Sequence, residues 1–191
     1  MRVIAGKFRS RQLKSLNSTA LRPTSDRLRE TLFNILGDLV VGSRFIDVFA
    51  GTGAVGIEAL SRGAKEVIFI EKHQATANVI KKNLESLQIN REEAYVLPVD
   101  ALHALEMLAK KNSASREVPD ICFLDPPYAQ AAEYDRVLSF LGSATLLNKG
   151  ALVIAEHRRD SELPEIVENL QRVRLLRQGD ATLGFYRLMR S

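Results

Sequence analysis

Residues 44–63, with the sequence RFIDVFAGTGAVGIEALSRG, decide the fold of this 191-residue chain. The first seven residues form an apolar run typical of a buried β-strand, and a helical pattern follows that Gly63 ends. Between them, Gly51, Gly53 and Gly56 match G-x-G-x-x-G, a turn in which the backbone can approach a ligand at a helix N-terminus. The stretch therefore predicts a strand–turn–helix unit that binds a ligand containing a nucleoside.

Outward from this unit, strands and helices alternate along the chain. Apolar runs predict further strands at 66–71, 94–100, 120–125 and 150–157, and a closing hairpin within 173–189. Helical periodicity predicts a helix within 21–39 and further helices at 75–89, 101–111, 132–142 and 163–170. In the first of these, Thr24 or Ser25 can serve as the N-cap. Such alternation predicts an α/β fold, with a mostly parallel sheet and ligands at the carboxyl ends of its strands.

Carboxylates follow or end several of the predicted strands. Glu71 lies 20 residues after Gly51 and can accept hydrogen bonds from the hydroxyls of a ribose. This fits a dinucleotide as well as any other nucleoside. Asp47 precedes the glycines, where an anion suits S-adenosylmethionine, which has two positive centres, better than a pyrophosphate. Asp100 can accept from an adenine amine, or it can cap the following helix.

A second motif, FLDPPY at residues 123–128, follows the fourth predicted strand. Proline cannot continue a strand ladder or enter a helix interior, so the chain stops stiffly beside Asp125 and Tyr128. A carboxylate and a backbone carbonyl can fix an amine, and an aromatic ring can stack on a base. The motif predicts a rigid frame for a planar amine, although a stiff turn without function would use the same residues.

Basic residues are concentrated near the N-terminus. Residues 1–45 carry nine basic and three acidic side chains, a net charge of +6, whereas the whole chain has +4. This distribution indicates a polyanionic partner, and nucleic acid is the foremost candidate. The alternative is a basic arm that is merely solvated. Residues 2–16 combine β-type residues with Gly6 and predict a short basic hairpin.

The remaining composition narrows the class of protein. Cys122 is the single cysteine, and the chain has no signal-peptide pattern and no apolar run of the roughly 18 residues that span a membrane. His73, His103 and His157 lack metal-binding spacing, so no metal is expected. These features predict a cytoplasmic protein, and none of them demands more than a monomer.

Several stretches together resemble a known family. DVFAGTGAVGIEALSRGA, IEK, PVDA and LDPPY, in this order, resemble the class I S-adenosylmethionine-dependent methyltransferases. With RVIAGKFRSRQL and RPTSDRLRETLFNIL added, nearly the whole chain resembles the bacterial 16S ribosomal RNA guanine-N2 methyltransferases of the RsmD type. The resemblance implies a Rossmann-like fold with a seven-stranded sheet, helices on both faces, and a hairpin extension at 1–21 before a catalytic domain at 22–191.

The resemblance also implies an activity and its residues. The expected reaction is methyl transfer from S-adenosylmethionine, with S-adenosylhomocysteine as product, to N2 of one guanine in 16S ribosomal RNA, within the small subunit or an assembly intermediate. The implied catalytic residues are Asp125, Pro126, Pro127 and Tyr128. The implied cofactor-binding residues are Asp47, Phe49, Ala50, Gly51, Thr52, Gly53, Glu71, Lys72, Asp100, Ala101 and Asp125. The implied RNA-binding residues are Arg9, Arg11, Arg22, Thr24, Arg27 and Arg29.

Two alternatives stay open from the sequence. The first keeps methyl transfer but places it on N6 of adenine, because a D-P-P-Y motif suits both exocyclic amines. The second is an NAD-type oxidoreductase built on the same glycine motif, although no residue suited to hydride chemistry stands near the strand ends.

Overall fold

The structure is a computed structural model, and it describes residues 1–15, 25–115, 118–127 and 130–189. The chain divides into two compact units, Met1–Asp100 and Ala101–Ser191. The predicted boundary between extension and catalytic domain, at residues 21 and 22, lies outside the described residues and stays a prediction. In the described ranges, each helix is too short or too polar to cross a membrane.

The first unit contains the predicted strand–turn–helix and its neighbours. Its elements are α1 (Asp26–Leu36), a 3₁₀ turn (Gly37–Val40), β1 (Arg44–Val48), α2 (Ala54–Ser61), β2 (Glu66–Ile70), α3 (Gln74–Ser86) and β3 (Ala94–Leu97). The three strands are parallel and lie in the order β3-β2-β1, with Val48 paired to Ile70 and Ile70 paired to Leu97. The chain therefore leaves all three strands at one edge of this sheet.

Helix α1 confirms one of the two predicted caps. The Ser25 hydroxyl accepts a hydrogen bond from the backbone N–H of Leu28, which satisfies one of the free donors at the helix start. Thr24, the other candidate, lies outside the described residues. The helix ends at Leu36 because Gly37 adopts a φ of 50°, so the predicted continuation to residue 39 is wrong and Leu39 is exposed.

The N-terminal segment forms a hairpin that is less regular than predicted. Arg2 and Gln12 make one antiparallel bridge. The N–H of Val3 donates to the carbonyl of Arg11 at 3.0 Å, and the N–H of Ser10 donates to the carbonyl of Val3 at 2.9 Å. The turn between them includes Gly6, whose φ of 80° is the left-handed region that favours glycine. We call residues 1–15 the N-terminal hairpin.

The second unit continues the α/β alternation and ends in antiparallel strands. Its elements are α4 (Ala101–Ser115), β4 (Ile121–Leu124), α5 (Ala132–Ser143), β5 (Leu152–Arg158), β6 (Ile166–Val167), β7 (Leu170–Gln178) and β8 (Ala181–Leu188). β4 and β5 are parallel, and β8, β7 and β6 follow in that order as antiparallel neighbours. The α/β class and the closing hairpin are confirmed.

The helix predicted at residues 163–170 is wrong. Ile166–Val167 instead forms β6, which pairs with the start of β7. The β-branched pair suits a strand, and Glu168 takes a φ of 51° in the tight turn that follows. The described strands therefore number eight, one more than the seven predicted.

Candidate active site

The glycine loop, which we define as residues 49–53, joins β1 to α2 at the carboxyl edge of the first unit's sheet. Phe49, Gly51 and Gly53 all have positive φ, at 65°, 55° and 80°. The N–H of Ala50 donates to the carbonyl of Ile70 at 2.9 Å, and the N–H of Gly53 donates to the carbonyl of Ala50 at 2.7 Å. The loop is thus a tight, hydrogen-bonded turn, and its one non-glycine residue in the left-handed region marks local strain.

The three glycines of the motif meet different surroundings. A Cβ on Gly56 would lie 2.3 Å from a ring carbon of Phe69, so this glycine allows α2 to pack closely on β2. A Cβ on Gly53 would lie 3.1 Å from the side chain of Ile80. A Cβ on Gly51 would meet no described atom within 4 Å. Gly51 therefore faces open space. A ligand that approaches the backbone at a glycine requires such space.

Glu71 holds the glycine loop to the start of α3. Its Oε2 accepts the N–H of Gly51 at 3.0 Å, and its Oε1 accepts the N–H of His73 at 2.8 Å. The side chain is buried, and each carboxylate oxygen keeps a second lone pair for another donor. The position, at the tip of β2 beside the open glycine, suits a carboxylate that receives two ribose hydroxyls.

Asp47 lies beneath the loop, in β1. Its Oδ2 accepts the N–H of Gly56 at 2.8 Å, and only 2% of the residue is exposed. Burial raises the pKa of this carboxyl to about 8, the hydrogen bond from Gly56 lowers it, and the charge of Glu71 raises it. Asp47 is therefore mostly protonated at pH 7, and a cation bound nearby would favour its ionised form.

The other candidate residues near the strand ends differ in exposure. Thr52, within the loop, is buried, and the Lys72 side chain next to Glu71 is exposed. Asp100 follows β3 and is half-buried. Ala101 is the first residue of α4 and is buried. The sheet thus brings the glycine loop, Glu71 and Asp100 to the ends of three adjacent parallel strands.

The D-P-P motif directly follows β4 in the second unit, as predicted. Leu124 ends the strand, and Asp125 comes next as a half-buried residue. Pro126 is buried, and Pro127 is exposed with its carbonyl accepting the N–H of Gln130 at 2.7 Å. Tyr128 lies outside the described residues, so its stacking role stays a prediction.

The residues predicted to bind RNA fall into three groups. Arg9, Arg11 and Arg27 are exposed. Arg22 and Thr24 lie outside the described residues. Arg29 is fully buried, and its guanidinium donates to the carbonyl of Arg2 at 2.6 Å and to Asp26 at 3.0 Å. The prediction that Arg29 lines the RNA entrance is therefore corrected, because its side chain fastens the N-terminal hairpin to α1.

Sequence reasoning missed the residues that fasten the hairpin to α2. Glu58 is fully buried, and its two carboxylate oxygens accept the N–H groups of Ile4 and Ala5 at 2.8 and 3.0 Å. Ser61 accepts the N–H of Phe8 at 2.9 Å. The single charged residue of α2, with apolar neighbours on both sides, was the available signal, since a buried carboxylate requires partners.

Comparison with known proteins shows which family this chain resembles. Residues 1–187 match the family described as conserved hypothetical protein 95. Ribosomal RNA small subunit methyltransferase D from Haemophilus influenzae is 42% identical over 164 residues, which cover 85% of this chain and 81% of that protein. The protein of the same name from Escherichia coli K12 is 35% identical over 169 residues, covering 88% and 80%.

A solved structure agrees in fold over the full length. The structure titled "Putative methyltransferase yhhF from Escherichia coli" has a TM-score of 0.84 and 31% sequence identity, and covers 100% of this chain and 99% of that one. The predicted resemblance is thereby confirmed at the level of the family. The chain belongs to the RsmD family, that of ribosomal RNA small subunit methyltransferase D.

Proposed function

We propose that this protein transfers a methyl group from S-adenosylmethionine to the exocyclic N2 of one guanine in 16S ribosomal RNA. The observation that carries the proposal is the bond from Gly51 to Glu71, which sets an open glycine beside a buried carboxylate. Family membership supports the reaction class, since the relatives are named as small-subunit ribosomal RNA methyltransferases. The choice of guanine N2 rests on the D-P-P-Y motif and the resemblance stated above.

The residues of the first unit fit the cofactor. Glu71 has lone pairs available for the ribose hydroxyls, and Asp100 offers a carboxylate for the adenine amine. The open side of Gly51 accommodates the methionine part. When bound, S-adenosylmethionine supplies an electrophilic methyl group on a sulfonium and is converted to S-adenosylhomocysteine. Asp47, whose carboxyl lies beneath the loop, would gain negative charge as the positive ligand binds.

The D-P-P-Y residues would hold the target amine. The lone pair of a guanine amine is delocalised into the ring, which makes it a poor nucleophile. Asp125 would accept one N–H and the carbonyl of Pro126 the other, so the nitrogen becomes pyramidal and its lone pair is oriented before reaction. Methyl transfer would form the new N–CH₃ bond and break the sulfur–methyl bond, and one amine proton would be lost to Asp125 or water. Tyr128 would stack on the flipped base.

The exposed arginines at the N-terminus would bind the RNA backbone. Arg9, Arg11 and Arg27 are exposed, and phosphate contacts of this kind position a nucleic acid without reading its sequence. The proposed partner is 16S ribosomal RNA, in the small subunit or an assembly intermediate in the cytoplasm. The expected active form is a monomer.

The test uses tritiated S-adenosylmethionine and small ribosomal subunits from cells that lack this gene. The labelled RNA is digested to nucleosides after incubation with the purified protein. We expect label in N2-methylguanosine at one site, and Asp125→Ala to lower the rate by orders of magnitude with little change in S-adenosylhomocysteine affinity. Asp120→Ala, just before the start of β4, is the matched control. Label in N6-methyladenosine would show that the methylated base is adenine and not guanine. An absence of label would refute the proposal.

A further inference from the structure

The side chain of Asn83 joins three separated segments of the first unit. Asn83 lies in α3 and is fully buried. Its Oδ1 accepts the N–H of Lys14 at 2.8 Å, and its Nδ2 donates to the carbonyls of Lys14 at 3.1 Å and Thr52 at 3.2 Å. A single side chain therefore pairs with both sides of the Lys14 backbone and with the glycine loop.

The orientation of this amide follows from its partners. A backbone N–H can only donate and a carbonyl can only accept, so the oxygen of Asn83 must face the N–H of Lys14. Both hydrogens of the NH₂ group then have acceptors, one in the N-terminal hairpin and one in the glycine loop. The side chain is satisfied only when the two segments hold their present positions relative to α3.

A further contact fixes the basic hairpin to the same helix. The guanidinium of Arg11 donates to the carbonyl of Ser86, the last residue of α3. Lys14 and Arg11 are exposed cationic residues of the hairpin, whereas Thr52 belongs to the loop beside Glu71. The hairpin proposed to bind RNA and the loop proposed to bind cofactor are thus both held by α3.

We propose that Asn83 is a positioning residue that couples RNA binding at the N-terminal hairpin to cofactor binding at the glycine loop. RNA phosphates on Arg11 and Lys14 restrict the hairpin, and Asn83 transmits that restriction to Thr52. A loop that is already ordered loses less conformational entropy when the cofactor binds. The coupling is reciprocal, so cofactor tightens RNA binding by the same factor. This inference rests on the proposed function, which assigns the two ligands.

The coupling is measured with the full-length protein as the Kd of S-adenosylhomocysteine, without and with saturating small subunits from cells lacking the gene. For the wild type we expect the subunits to lower this Kd about fivefold or more, within the usual range of coupling. Asn83→Asp keeps an acceptor for the N–H of Lys14 but cannot donate to the carbonyls of Lys14 and Thr52, so its ratio should fall toward one. Asn78→Asp is the matched control, because this residue of α3 is exposed and its side-chain oxygen accepts from Gln74 of the same helix.

The possible results distinguish a failure of the coupling from a failure of the proposed function. A wild-type ratio of one, or an unchanged ratio in Asn83→Asp, would overturn the coupling while both ligands still bind singly. Failure of the wild type to bind S-adenosylhomocysteine at all would overturn the proposed function and the coupling together. Hydrogen exchange in the wild type tests the same point without a variant: subunits should slow amide exchange at residues 50–56, and an unchanged rate would refute the coupling.

Discussion

Asp47 and Gly56 are joined by a 2.8 Å hydrogen bond in which a buried carboxyl accepts the N–H of the third glycine of the motif. The bond connects β1 to the first turn of α2, across the glycine loop. Because burial raises the pKa of Asp47 to about 8, this carboxyl takes up a proton in the folded protein that the unfolded chain releases near its ordinary pKa of 3.8. The site is therefore sensitive to pH.

Replacing Asp47 with Asn should make the stability of the free protein less dependent on pH. Between about pH 4 and pH 8 the folded state holds a proton that the unfolded state lacks, so the wild type loses stability as pH rises, by up to about 1.4 kcal/mol per pH unit. Above pH 8 both states are ionised and this loss ends. Urea unfolding at pH 5, 6, 7 and 9 measures the free energy of unfolding of both proteins. Parallel plots of this free energy against pH for the wild type and Asp47→Asn would contradict the prediction.

Replacing Gly56 with Ala should destabilise the protein by about 1–3 kcal/mol through overpacking. The added Cβ would lie 2.3 Å from the ring of Phe69 and 2.8 Å from the side chain of Val67, so α2 must move away from β2. The measurement is the free energy of unfolding in urea. Gly150→Ala is the control, because a Cβ there meets no described atom within 4 Å.

A second substitution distinguishes this clash from a general effect of alanine. Phe69→Leu removes the ring atoms that the new Cβ meets, so the double variant should be more stable than the sum of the two single changes predicts. Additive effects of Gly56→Ala and Phe69→Leu would show that the close contact is not the cause.

The features that could be predicted from the sequence are those set by neighbouring residues. The glycine motif specifies a turn through the φ values of Gly51 and Gly53, and the Ser25 cap depends on an N–H three residues away. The place of Glu71 follows from one β–α–β unit, because parallel strands end at the same edge of a sheet. Such local rules predicted the fold class and the candidate nucleoside site.

Features that depend on distant partners could not be predicted in this way. Asn83 reads as an ordinary polar residue of an amphipathic helix, yet its partners lie 69 and 31 residues away. Arg29 stands in a basic stretch and reads as a nucleic-acid contact, whereas Glu58 and the carbonyl of Arg2 surround it in the fold. The wrong helix at 163–170 has the same origin, since pairing with β7 overrides a weak helical pattern.

Arg29→Met should destabilise the protein by about 3–5 kcal/mol, because it leaves a buried carboxylate without one of its cations. The guanidinium of Arg29 approaches Glu58 at 3.9 Å, and both side chains are fully buried. Burial lowers the pKa of Arg29, and the charges of Asp26 and Glu58 oppose that shift. The free energy of unfolding in urea measures the loss.

The same variant should release the N-terminal hairpin, since Arg29 also donates to the carbonyl of Arg2. Hydrogen exchange at the amides of Ile4 and Ala5, which bond to Glu58, should accelerate in Arg29→Met. Arg27→Met, an exposed neighbour on the same helix, should change neither quantity. Equal losses in the two variants would show that burial of Arg29 is not the cause.

Glu71→Gln should weaken binding of S-adenosylhomocysteine by about 10–100-fold, because hydrogen bonds to a charged acceptor contribute about 1.5–3 kcal/mol. The glutamine keeps one oxygen, so it cannot accept from Gly51, from His73 and from two ribose hydroxyls as the carboxylate can. Turnover at saturating cofactor should stay near the wild-type rate, which separates Glu71 from Asp125. Isothermal titration measures the affinity, with the exposed Glu85→Gln of α3 as control. An unchanged Kd in Glu71→Gln would mean that the ribose lies elsewhere.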